Sequence, residues 1–281
     1  MVASEEIFEP LPLTLDSTVT DLLCYGDNDG VATVIASGGT PSYAYTWVGT
    51  SSTTSSSTGL LSGTYNVTVT DVHGCNENTD IIVSRPLAPL TLVMDTTDVL
   101  CFGGNDGEGM VTASGGTTPY TYLWSNADAD DIAEDLISGT YDVTVTDDNG
   151  CMQTGSIYVA EPSLLESDST SMTAVSCNGG SDGTATVGSS GGAGGYTYLW
   201  SPGGEITPTI TGLTAGTYYV TTTDIHGCTT LDSAIITEPA LPISSTTDQV
   251  DNLCFGESNG IAIVEATGGT GPYGYVWSPT V

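Results

Sequence analysis

The chain has 281 residues, and its 34 acidic residues face a single basic one, Arg85, for a net charge near −33. Such a balance excludes nucleic acid and anionic membrane as expected partners, since both need Lys and Arg to neutralise phosphate. It suits either divalent cations or a protein at home in salty water, where screening removes self-repulsion.

With 36 Gly, 13 Pro and abundant Ser and Thr, the composition is that of many short strands joined by Gly-rich turns. No apolar run approaches the ~18 residues of a membrane span, so no membrane insertion is expected. The opening stretch MVASEEIFEP is acidic and lacks the basic start and apolar centre of a signal peptide, so export is expected to be specified elsewhere.

A repeat organises everything that follows. Trp47, Trp124, Trp200 and Trp277 recur at intervals of 77, 76 and 77, and so do Cys24, Cys101, Cys177 and Cys254. A second cysteine set, Cys75, Cys151 and Cys228, recurs at 76 and 77. Three markers in one register define a tandem array.

In chain order, residues 1–10 read as the end of a preceding repeat. Repeats then run over 11–86, 87–162 and 163–239, and 240–281 forms a truncated fourth that stops after Trp277. On this reading the sequence is an excerpt from something longer. Each repeat opens after a Pro-marked joint (Glu9-Pro10, Arg85-Pro86, Glu161-Pro162, Glu238-Pro239) with an apolar strand. A tight loop follows, written CYGDNDG, CFGGNDG, CNGGSDG and CFGESNG. Next come a strand ending in Gly-Gly, a strand of pattern Y-x-Y-x-W, and a variable Ser/Thr- or Asp-rich stretch. The repeat closes with GTYNVTVTD, GTYDVTVTD or GTYYVTTTD, a turn ending in Gly-Cys, and a last strand.

About seven short strands per repeat predict an all-β chain of tandem immunoglobulin-like β-sandwiches. The period of two in GTYNVTVTD sends Tyr65, Val67 and Val69 to one face. Tyr65, Tyr141 and Tyr218 stand where a tyrosine corner is found, and the four Trp residues occupy the third-strand core position.

The run C-x-G-x-[NS]-[DN]-G, then SGGT-x-P-Y-x-Y-x-W, then GTY-x-VTVTD-x-x-GC and a closing E-P resembles the SprB-type repeat of very large Bacteroidetes surface adhesins. The match covers essentially the whole chain. It departs at SSGGAGG in the third repeat, at Thr222 where Val is usual, and at the Arg-Pro joint. The resemblance implies a bacterial cell-surface, extracellular location, type IX secretion, and contact with outer-surface motility or secretion machinery of the kind that drives gliding.

A sandwich of this size is marginal by burial alone, so disulfide staples are expected in an extracellular setting. Two pairings are open. Within each repeat, Cys24 would join Cys75, and so on, leaving Cys254 alone. In an immunoglobulin-like sandwich, however, the first loop and the last turn lie at opposite ends. A strand of ~7 residues then holds them more than ~20 Å apart, against a disulfide limit of about 7 Å between Cα atoms. The first loop of one repeat instead falls beside the last turn of the next. This favours Cys24–Cys151 and Cys101–Cys228, with Cys75, Cys177 and Cys254 unpaired. With near-zero linkers at the Pro joints, such bridges imply an extended, braced rod.

Other groups carry weaker signals. Asp27, Asp29, Asp106, Asp182 and Glu257 in the cysteine loops look like fragments of calcium loops but lack the full EF-hand spacing. Asx turns with Gly at positive φ explain them more simply. The calcium reading gains only if Asp147 or Asp148 meets Asp27 or Asp29. The rows Tyr43/Tyr45/Trp47, Tyr120/Tyr122/Trp124, Tyr196/Tyr198/Trp200 and Tyr273/Tyr275/Trp277 fit a core better than a sugar-stacking platform, because the opposite strand face carries small residues.

Ser17, Thr96, Ser169 and Ser233 sit in Asp-[Ser/Thr]-x tripeptides that resemble a Bacteroidetes O-glycosylation acceptor. His73 and His226 have no other His to partner them in metal or base chemistry. No nucleophile–His–acid set or phosphate-cradling loop is present, so the chain reads as a non-enzyme. Two functions remain: a stalk segment in contact with further repeats of the same chain, or a repeated adhesive surface for polysaccharide or solid surfaces.

Overall fold

A computed structural model describes residues 9–278. Two compact units divide the chain, Met1–Asp98 with Asp106–Val159, and Val99–Asn105 with Ala160–Val281.

The first unit holds two sandwiches. Strands β1 (Thr14–Thr20), β2 (Gly30–Ser37), β3 (Ala44–Trp47), β4 (Ser56–Leu60), β5 (Gly63–Thr70) and β6 (Asn76–Val83) build the first. They form one sheet of order β1-β2-β4 and another of order β3-β5-β6. Strands β7 (Thr91–Thr97), β8 (Gly107–Ser114), β9 (Tyr120–Trp124), β10 (Ile132–Leu136), β11 (Gly139–Asp147) and β12 (Met152–Val159) repeat the arrangement as β10-β8-β7 and β12-β11-β9.

In the second unit, β13 (Glu166–Thr173), β14 (Gly183–Ser190), β15 (Thr197–Ser201), β16 (Thr209–Leu213), β17 (Gly216–Thr223) and β18 (Thr229–Ile236) do so again, and β19 (Ser244–Val250) pairs with β20 (Ile261–Thr267). Among the described residues every strand pairing is antiparallel.

Each complete sandwich thus has six strands in two sheets of three, not the expected seven. The variable stretch supplies the difference. After each Trp the chain makes one short strand, β4, β10 or β16, and returns directly to GTY.

Alternation sets the core. Trp47 lies opposite Val67, Trp124 opposite Val143 and Trp200 opposite Val220, so the largest side chain of one strand meets a β-branched one of its neighbour. In the first sandwich Ala32, Val34, Trp47, Val67, Val69, Ile81 and Val83 form one buried cluster. Tyr43, Tyr45 and Tyr65 are packed against it. At the third, Thr222 replaces a core Val and is fully buried; its hydroxyl meets Ser167 Oγ at 3.3 Å, which satisfies the polar atom.

The opening strand departs from expectation. β1 is exposed apart from Leu15, so it is a hydroxyl-rich edge rather than an apolar core strand. Thr14 Oγ1 and Ser37 Oγ lie 2.8 Å apart across the β1–β2 pair. Polar edges of this kind discourage open-ended strand pairing.

Trp277 departs too. At 59% exposure it is not a core residue. Among the described residues no second sheet covers β19 and β20. A groove of about 440 Å³ there, lined by Ile243, Val264, Tyr273, Tyr275 and Trp277, is the open inner face of a half-sandwich.

Candidate functional site at the cysteine loops and last turns

Three tyrosines fix the start of the penultimate strands. Tyr65, Tyr141 and Tyr218 donate their hydroxyls to the carbonyls of Leu61, Ile137 and Thr214, four residues back, at 3.0, 3.1 and 3.2 Å. The tyrosine-corner geometry is therefore present in each complete sandwich. All three rings are half-buried.

The Gly-Gly turns are fixed by crowding. A Cβ on Gly38 would lie 2.0 Å from the Pro12 carbonyl oxygen, and Gly115 and Gly191 meet Pro89 and Leu164 at 1.9 Å. Their φ angles of 73°, 77° and 73° also favour Gly. In the next position, a Cβ on Gly116 or Gly192 would press at 2.5 Å on a carboxylate oxygen of Asp147 or Asp224.

These carboxylates were missed as organising groups by sequence reasoning. Asp71, Asp147 and Asp224, four residues before a cysteine, are each only 5% exposed. Asp147 accepts backbone N–H bonds from Thr117 at 2.9 Å, Asn149 at 3.0 Å and Cys151 at 2.8 Å. Asp224 does the same with Ala193, His226 and Cys228. Asp71 does so with Thr40, His73 and Cys75. One carboxylate thus ties the Gly-Gly turn to the turn that presents the cysteine. The recurrence of Asp in D-x-x-G-C was the available signal.

The N–H of Thr40 holds the Asp71 carboxyl below the ordinary aspartate range; burial opposes this, and the N–H groups of Cys75 and His73 reinforce it. Asp224 is lowered likewise, first by Ala193. Because a folded pKa below the unfolded value of about 3.9 favours the native state, this contribution is complete above that pH and is lost as pH falls through the folded pKa. Asp224→Asn places an amide NH₂ against donor N–H groups. It is expected to lower the melting temperature of its sandwich by several degrees at pH 7, with the gap to wild type closing in acid. A gap of equal size in acid, read by circular dichroism melts, would contradict this assignment.

The cysteine loop is anchored from the other side. Buried Leu22, Val99 and Val175 donate their N–H groups to Ser84, Ala160 and Thr237 at 3.0, 2.9 and 2.8 Å. Each first-set cysteine follows two residues later, held by the end of its own repeat. Glu161 accepts the Gly103 N–H at 2.6 Å, and Glu238 accepts that of Gly179. At the Arg-Pro joint the interaction changes: the Arg85 guanidinium lies 4.2 Å from the centre of the Tyr25 ring.

The two cysteine positions meet across repeats. Cys24 and Cys151 are joined with Cα atoms 5.7 Å apart, and so are Cys101 and Cys228. In the first bridge Asn149 Nδ2 donates to the Leu23 carbonyl at 2.8 Å. In the second, His226 Nδ1 lies 3.3 Å from the Leu100 carbonyl and donates in the tautomer that carries its proton there. Cys75, Cys177 and Cys254 are free and exposed.

The remaining residues do not gather. Among the described residues no group of three or more His, Cys, Asp or Glu could hold a metal ion. Asp147 accepts three backbone N–H bonds, as above. Asp182 accepts the Ser176 N–H at 2.9 Å and its hydroxyl, the Ser176 hydroxyl being the leading cause that lowers the Asp182 carboxyl. Asp27 lines the groove beside the first bridge with Tyr25 and Cys151, and the Asp148 N–H donates to Thr117 O at 2.9 Å. Asp29 lies in the first cysteine loop and Asp106 at the end of the second.

Ser17 and Thr96 are exposed on β1 and β7, and Ser233 is half-buried on β18. Each has its own N–H on the preceding Asp, at 2.8, 2.9 and 2.7 Å. The side chain of Ser169 lies outside the described residues.

The fold and its bridges define a class: tandem, small immunoglobulin-like β-sandwiches in which a loop of one repeat is bonded to a turn of the next. Within that class the chain belongs to the SprB repeat family, which matches residues 17–51, 94–129, 169–205 and 246–281, just over half of it. Among solved structures it is similar to Sidekick-1 immunoglobulin domains 1-5, at 12% identity over 82% of this chain and 59% of that one, TM-score 0.37. The eight N-terminal immunoglobulin domains of Down Syndrome Cell Adhesion Molecule align at 11% identity over 92% of this chain and 52% of that one, TM-score 0.29. Domains 4-9 of the surface layer protein SbsC align at 13% identity over 85% and 49%, TM-score 0.28. The chain therefore spans 59% or less of the length of these three. No curated protein sequence matches it.

Proposed function

We propose that this chain is an extender segment of a large, secreted bacterial surface adhesin, whose repeats hold other parts of the protein away from the cell. The observation that carries this reading is the bond from the cysteine loop of one repeat to the last turn of the next. That placement stabilises the joint, where a ligand-binding module would concentrate its fixed groups in a pocket. Disulfides belong to an oxidising compartment, which supports an extracytoplasmic location. Membership of the SprB repeat family supports a cell-surface adhesin and, more finely, a part in gliding and export by the type IX system. Repeats bounded at the Pro joints are the working units of this reading.

The competing reading, an adhesive surface for polysaccharide, would use the aromatic rows. In the first sandwich Trp47 belongs to the core and the partly buried Tyr43 and Tyr45 pack against it, which supports a core role for the row over a sugar platform. The test is retention of the whole chain on polysaccharide-coated and bare glass beads at physiological salt. No retention above a bovine serum albumin control is expected. Saturable binding that survives salt would favour the adhesive reading instead.

A further inference from the structure

We infer that the two bridges together act as an interleaved tension lock, a mechanical function beyond that of spacing. Along the sequence the four cysteines run Cys24, Cys101, Cys151, Cys228, so the bridge Cys24–Cys151 opens before and closes inside the bridge Cys101–Cys228. Each bridge spans 127 positions, and the segments from Cys24 to Cys101 and from Cys151 to Cys228 are both 77 long.

When the ends are pulled, the taut path is the shortest covalent one. It crosses from Cys24 to Cys151, runs backwards along the chain to Cys101, and crosses to Cys228. Only 50 of the 204 positions between Cys24 and Cys228 can then be drawn out, and 154 stay locked. With one bridge open, the other alone still locks its 127. Loss of a bridge therefore releases only 27 positions, the difference between 154 and 127.

Bridges within repeats behave differently. Three separate loops, Cys24–Cys75, Cys101–Cys151 and Cys177–Cys228, would each lock about 50 positions and release all of them when opened. Interleaving makes the lock redundant: one bridge backs up the other. The free thiols of Cys75 and Cys177 occupy the same turn and loop as the bonded cysteines. They carry no part of this inference.

The inference deepens the extender reading, but its measured quantity is length rather than adhesion, so either can fail alone. The experiment is force spectroscopy on the whole chain, tethered at its two ends and pulled to full extension. Wild type is compared with Cys24→Ser/Cys151→Ser, Cys101→Ser/Cys228→Ser and the four-fold variant. At ~3.3–3.6 Å per residue, each paired variant should reach roughly 90–97 Å further than wild type, and the four-fold variant roughly 510–550 Å. Full extension is set by covalent connectivity, so a variant that folds poorly still gives the answer. A gain of about 330–360 Å in the first paired variant, the length of the two within-repeat loops it would open, would overturn the lock. So would a wild type that already extends as far as the four-fold variant.

Discussion

Replacing Cys24 and Cys151 together with Ser is expected to lower stability by about 5 kcal/mol on the chain-entropy relation for a loop of this size. The bridge spans 127 positions and ties β1–β6 to β7–β12. Neither sandwich can therefore unfold into an unconstrained chain while it is closed. In calorimetry the wild-type first unit should melt at higher temperature and over a narrower range than the variant. The variant should show a lower transition, or two. An unchanged transition would mean that the cross-link removes no freedom from the unfolded chain, contrary to its place between repeats.

Trp124→Ala should cost about 3–5 kcal/mol, the range for truncating a large buried aromatic. Its ring is 2% exposed and its Nε1 donates to the Asp130 carbonyl at 3.0 Å. Truncation therefore leaves a cavity and frees the end of the variable stretch. The control is Trp277→Ala at the equivalent position. That ring is 59% exposed, so its removal should shift urea unfolding by well under half as much. Equal effects at the two sites would show that position in the repeat, rather than burial, sets the cost.

The comparison of those two Trp residues also shows what the sequence could carry. Spacing placed both on the same strand of the repeat, but burial depends on the facing sheet, which a local pattern does not describe. The core alternation of GTYxVTVTD was legible because a period of two has one physical cause. Cysteine pairing was legible for a different reason. The first loop and last turn fall at opposite ends of a sandwich, so geometry favoured a partner in the next repeat.

The buried carboxylates were not legible in the same way. An acid closing a strand looks like a solvated turn residue, and only the three converging N–H donors reveal that Asp147 is enclosed. The strand count failed where the sequence is least regular. The stretch from Trp47 to Gly63 holds an unbroken run of nine Ser and Thr from Thr50 to Thr58, which offers no alternation from which to count strands. The exposed β1 was misjudged from Leu11, Leu13 and Leu15, which mostly precede the strand or sit at its rim.

The loop-to-next-turn bond also bears on how such a protein can change length over generations. The second repeat brings one half of the bond to its follower, at Cys101, and one half to its predecessor, at Cys151. Duplicating or deleting a whole repeat by recombination at the Pro joints leaves each loop facing a matching turn. A bond placed this way is therefore compatible with any number of whole repeats in the array.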